Sequence, residues 1–124
     1  MVCYHVKTRA QAGLARLHRS ARLDRAARLK AARIIHCHRF THYPCGDSFL
    51  RPFRQARYVP WRGGWAVGEN LASGWVTPWG AFRGLMRSPT HRKNILDRSF
   101  RDIGVASAPS LWGPLWVVEY GRRW

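Results

Sequence analysis

Two periodicities divide the chain, and their order limits the fold more than any other feature. Leu23, Ala27, Ala31, Ile34, Ile35 and His38 recur at helical spacing, with Arg22, Arg25, Arg28 and Arg33 mostly on the opposite side. Ser20 is placed to cap that helix. In the last third, residues 103–108 and 115–120 are β-prone runs separated by Pro109-Ser-Leu-Trp-Gly-Pro114, which predicts an antiparallel hairpin. Helices early and strands late argue for an α+β domain rather than alternating β–α units.

The remaining segments fit that scheme. Val6, Ala10, Leu14 and Leu17 predict a helical face near the start, ended or weakened by Gly13. A basic stretch from Phe49 to Tyr58 is read as a third helix, residues 65–74 as a strand or extended segment, and Thr77-Pro78 as the cap and first turn of a helix reaching Ser88-Pro89. With 124 residues and 46% hydrophobic composition, the chain suits one domain, 1–124, with a genuine core. The longest charge-free run, Ile103 to Val118, is broken by Pro109, Gly113 and Pro114 and is too short for a spanning helix.

The charge is lopsided: 22 Lys plus Arg face 6 Asp plus Glu, for a net +16. The cations are mostly arginine and are spread along the chain, so anionic surfaces are expected partners. No recognition motif points to a specific nucleic acid. The first residues, Met1-Val-Cys-Tyr-His-Val-Lys7, show no apolar core of a secretory signal. Cys37 and Cys45 flank a turn segment, where spacing alone leaves a disulfide and two free thiols equally open, and Cys3 has no evident partner.

Three strings place reactive side chains beside turn residues: Phe40-Thr41-His42, Gly68-Glu69-Asn70, and Ser88-Pro-Thr-His91-Arg-Lys-Asn-Ile-Leu96. Two imidazoles and a carboxylate are the groups needed for a divalent metal or for proton transfer. Ser88, before a proline, reads first as a helix terminator or cap, because no Gly-x-Ser-x-Gly elbow surrounds it.

The order of these strings resembles the CAP superfamily (cysteine-rich secretory, antigen 5 and pathogenesis-related proteins), in its short bacterial single-domain form. The match runs through Gly13-Leu14, the Leu/Ala-rich helix, Phe40-Thr41-His42, Gly68-Glu69-Asn70-Leu71-Ala72, Ser88 to Leu96, and Ile103-Gly104-Val105. The resemblance implies a three-layer αβα sandwich around a small antiparallel sheet with an open cleft. It also implies catalytic or binding roles for His42, Glu69 and His91, with His42 and His91 as ligands of a divalent metal such as zinc. A second cleft glutamate of many family members has no counterpart here, its place being held by Leu85 and Ser88, so the implied set is a triad. The resemblance further favours pairing of Cys37 with Cys45, which would pin His42.

The function implied is a secreted or cell-surface module that binds an apolar or amphipathic ligand or a cell-wall polymer. Trp61, Trp65, Trp75 and Trp79 are candidates for its walls. The alternatives are a metal-dependent hydrolase of peptide or ester bonds with Glu69 as general base, and polyanion binding through charge alone.

Overall fold

A computed structural model describes residues 1–124. In chain order the elements are α1 (Val2–Gln11), β1 (His18–Arg19), α2 (Ala21–Cys37), α3 (Arg51–Gln55), β2 (Trp65–Ser73), α4 (Pro78–Arg87), α5 (Pro89–Ile95), β3 (Asp102–Ala108) and β4 (Leu115–Arg123). The strands form one sheet in the order β1-β3-β4-β2. β2, β4 and β3 are antiparallel, as the hairpin pattern predicts, but β1 joins β3 in parallel through only two residues. The sheet is therefore mixed rather than purely antiparallel. The cause is local: the link between α1 and α2 runs beside β3 long enough for the His18 and Ser20 amides to reach Arg101 and Ile103 carbonyls.

Alternation along β4 builds the two cores. Trp116, Val118 and Tyr120 join Ala81, Phe82, Leu85 and Ile95 on the face covered by α4 and α5. Leu115 and Val117 join Leu71 and the α2 residues Ala27, Ala31 and Ile34 on the other. A neighbouring cluster packs Leu23 and Ala26 against Phe53 and Tyr58. The result is helix, sheet, helix. Gly104 is needed where α2 crosses β3, since a Cβ there would lie 2.1 Å from the Leu23 carbonyl carbon.

The helix caps follow the sequence. The Leu23 amide donates to Ser20 Oγ (3.2 Å) and the Gly80 amide to Thr77 Oγ1 (3.0 Å). α1 departs from expectation. Its buried residues are His5 and Arg9, not the Val6 and Ala10 stripe, and Leu17 is buried beyond the helix end. Arg9 is tolerated inside because its guanidinium donates to the carbonyls of Ala15, Ile95, Asp97 and Phe100. That fan of bonds stitches α1 to the loop after α5. The third helix is shorter than residues 49–58.

Candidate functional site

β2 is an edge strand, and its unpaired side forms the floor of a cleft between the two helical layers. From one layer comes the loop after α2, carrying Phe40 and His42. From the other come the end of α4 and the start of α5, carrying Leu85, Ser88 and His91. An apolar hollow of about 270 Å³ lies between Phe40, Leu71, Trp75 and Leu85, with Ser88 and His91 as its polar side chains beside Ser73. Of the four tryptophans expected on its walls only Trp75 is there. Trp61 is 99% exposed, Trp79 packs on Tyr4, and Trp65 begins β2 at the strand's other end.

His42 is held from behind. Its Nδ1 lies 2.7 Å from Glu69 Oε1, and its backbone carbonyl accepts from Lys30 Nζ at 2.5 Å. The loop carrying it is closed by a Cys37–Cys45 disulfide with Cα atoms 5.4 Å apart, so that pairing is the realised one, and Cys3 is free and exposed. His42 is 43% exposed while the Glu69 side chain is wholly buried behind it. Glu69 therefore reaches the cleft through the imidazole, not directly.

His91 enters on α5, its Nδ1 2.8 Å from Ser88 Oγ. Ser88 itself is the junction between α4 and α5, matching its reading as a terminator. Burial, and then the charge of His42, lower the His91 pKa. Two asparagines fix the register of α5 on β2. Asn70 Nδ2 donates to the His91 carbonyl (2.9 Å), and Asn94 Nδ2 donates to Asn70 Oδ1 (2.9 Å) and the Glu69 carbonyl (3.1 Å). These bonds tie the Gly-Glu-Asn string on β2 to the Asn-Ile-Leu string on α5.

Glu119 is the residue that sequence reasoning missed. It stands directly opposite Glu69 in the β2–β4 register and is completely buried. Lys30, also buried, approaches Glu69 Oε2 at 3.3 Å. Both Glu119 oxygens and Glu69 Oε2 lack a donor within hydrogen-bond geometry. Two acceptor-only carboxylates facing each other cannot satisfy one another, whereas one shared proton can. Burial, and then the charge of Glu69, push Glu119 well above the ordinary carboxyl range. Burial would raise Glu69 too, but hydrogen bonds from Glu119 and His42 and the charge of Lys30 outweigh it and hold Glu69 below its ordinary value. The pair is one carboxylate and one carboxylic acid, with Lys30 as counter-ion.

A carboxylate on His42 Nδ1 and a hydroxyl on His91 Nδ1 leave each Nε2 free, the arrangement that orients metal-binding histidines. No group of three or more His, Cys, Asp or Glu side chains gathers at metal-binding spacing. The donor set fits a divalent metal only as two imidazoles, with water or ligand atoms completing its shell.

Comparison with known proteins agrees with this architecture. The sequence profile described as CAP, cysteine-rich secretory protein family, matches residues 3–120. YkwD of Bacillus subtilis is 41% identical over 54 residues, a match spanning 44% of this chain and 20% of YkwD, so the chain covers about a fifth of that relative. An outer surface protein of Borrelia burgdorferi superposes with a TM-score of 0.84 at 18% identity, covering 99% of this chain and 90% of that one. An extracellular SCP-domain protein of Bacillus anthracis gives 0.78 at 21% identity, over 95% of this chain and 37% of that one. A cysteine-rich secretory protein of Staphylococcus aureus gives 0.75 at 15% identity, over 96% and 36%.

Proposed function

Because this chain belongs to the cysteine-rich secretory protein (CAP) family, we propose that it is an exported or surface-associated binding module. Its cleft takes an apolar or amphipathic small ligand or a component of the cell wall. The observation that carries the reading is the apolar hollow beside β2 with His91 and Ser88 at its rim. Apolar walls with a few convergent polar groups are the usual build of a small-molecule site. The volume suits a small ligand or one end of a longer one. Export is supported by the Cys37–Cys45 disulfide, a bond that persists in oxidising compartments, and by likeness to proteins titled outer-surface or extracellular.

In this reading His42 and His91 would hold a divalent metal through Nε2, which would draw an anionic or carbonyl ligand group toward the polar rim. Glu69 fixes the His42 ring and its tautomer, and Lys30 and Glu119 fix the charge of Glu69. The hydrolase alternative needs Glu69 as general base, yet its carboxylate is buried and engaged by His42 and Lys30, so any proton transfer would have to pass through His42.

The test is titration with a dansyl-labelled long-chain fatty acid, with Ser73→Trp filling the hollow and His91→Ala removing the polar anchor. Saturable binding without turnover, lost in Ser73→Trp, is the expected result. Absence of saturation would overturn the binding reading. Turnover of ester or peptide substrates that disappears in Glu69→Gln would establish the hydrolase instead.

A further inference from the structure

Two long segments of this strongly basic molecule carry no charged side chain and meet at one end of it. Neither Asn70 to Phe82 nor Ile103 to Val118 contains an Asp, Glu, Lys or Arg. Both segments pass through the end of the sheet formed by the close of β2, the turn into α4 and the β3–β4 loop. They are tied together there. The Gly74 amide donates to the Pro114 carbonyl (2.9 Å), Trp116 Nε1 donates to the Trp75 carbonyl (2.8 Å), and the Phe40 and Trp112 rings are 6.1 Å apart.

The surface they build is apolar and open. Val76 is 83% exposed and Leu111 78%, with Phe40, Trp75 and Trp79 partly exposed around them. Two exposed arginines border it in sequence: Arg39 adjoins Phe40, and Arg83 follows Trp79 by one turn on the exposed side of α4. The chain's acids are committed elsewhere. Glu69 and Glu119 are buried, Asp24 and Asp47 pair with arginines, Asp102 accepts from Tyr58, and Asp97 accepts from Ser99.

We propose that this end is a docking surface for an anionic lipid bilayer. Val76 and Leu111 enter below the headgroups, the indoles of Trp75 and Trp79 lie at headgroup level, and Arg39 and Arg83 meet the phosphates. Charge complementarity favours this occupant. A second copy carries the same +16 charge and repels, and a nucleic acid offers no apolar phase for Val76 and Leu111. The inference does not depend on what the cleft binds, although Phe40 and Trp75 border both surfaces.

The experiment is co-sedimentation with phosphatidylcholine vesicles, with and without phosphatidylglycerol, followed also by tryptophan emission. Val76→Ser/Leu111→Ser removes apolar area at two exposed positions without adding charge. Trp61→Ser, at the other end of β2, is the control. The expected result is binding to the phosphatidylglycerol vesicles with a blue shift, weakened about tenfold or more in the double variant and unchanged in Trp61→Ser. Equal binding by parent and double variant would overturn the proposal in favour of charge alone. Loss in Trp61→Ser would move the contact to the other end. Single-stranded DNA bound as tightly, with the same sensitivity to the double variant, would replace the bilayer with a nucleic acid.

Discussion

Replacing Glu119 with glutamine should leave stability nearly unchanged at pH 5 and raise it at pH 7. In the folded chain Glu119 keeps its proton well above the ordinary carboxyl value of 4.5, whereas in the unfolded chain it ionises there. A raised folded pKa means that the contribution is complete below 4.5 and is lost as pH climbs toward the folded value. The loss runs at up to about 1.4 kcal/mol per pH unit between the unfolded and folded values, so the variant's advantage widens as pH rises through that window. Glutamine cannot ionise, and its amide donates to Glu69 as the carboxylic acid does, so the variant escapes the cost. His5 complicates the parent's own profile. Burial lowers its pKa from 6.5 to about 4, so its contribution is present above pH 6.5 and lost as pH falls toward 4. That slope has the opposite sign, but it is common to both proteins and cancels in their difference. Urea unfolding at pH 5, 6 and 7, read by tryptophan fluorescence, gives the difference directly. A gap between variant and parent that does not grow with pH would refute the shared-proton account, and a variant less stable at pH 7 would show that Glu119 acts as a carboxylate.

Two other perturbations probe what holds the cleft together. Arg9→Met strips four carbonyls of their donor and should cost about 4 kcal/mol in chemical unfolding, a large effect for one helix residue. Cys37→Ser/Cys45→Ser opens a loop with a sequence separation of 8 and should cost about 2.5 kcal/mol in the chain-entropy account. Amide exchange in the double variant should rise first around His42, and uniform protection there would mean that Lys30 alone fixes the loop.

The elements legible in the sequence were those whose signal is local. Ser20 and Thr77 mark helix starts because a short hydroxyl satisfies a nearby amide. The Leu23–Ile34 stripe marks a buried helix face because 3.6-residue periodicity needs no partner to be seen. The three strings bearing His42, Glu69 and His91 were legible as a family pattern, and three of the four tryptophans beside them misled because a side chain's surroundings depend on neighbours distant in sequence. α1 misled for the same reason. Its inward face carries His5 and Arg9, and Tyr120 with the carbonyls of Ala15, Ile95, Asp97 and Phe100 makes that burial tolerable.

What the amino-acid order showed by itself was the long helix from Ser20, the C-terminal hairpin and the three strings that bear His42, Glu69 and His91. What only the tertiary structure decided was the state of the carboxylate behind them. Glu119 lies fifty residues from Glu69, and nothing within either strand shows that they oppose each other. Antiparallel pairing sets that register, strand alternation turns both side chains toward α2, and Lys30 meets them there. Electrostatics depends on distance in space, so the charge of the site became defined only when three remote segments were buried against one another.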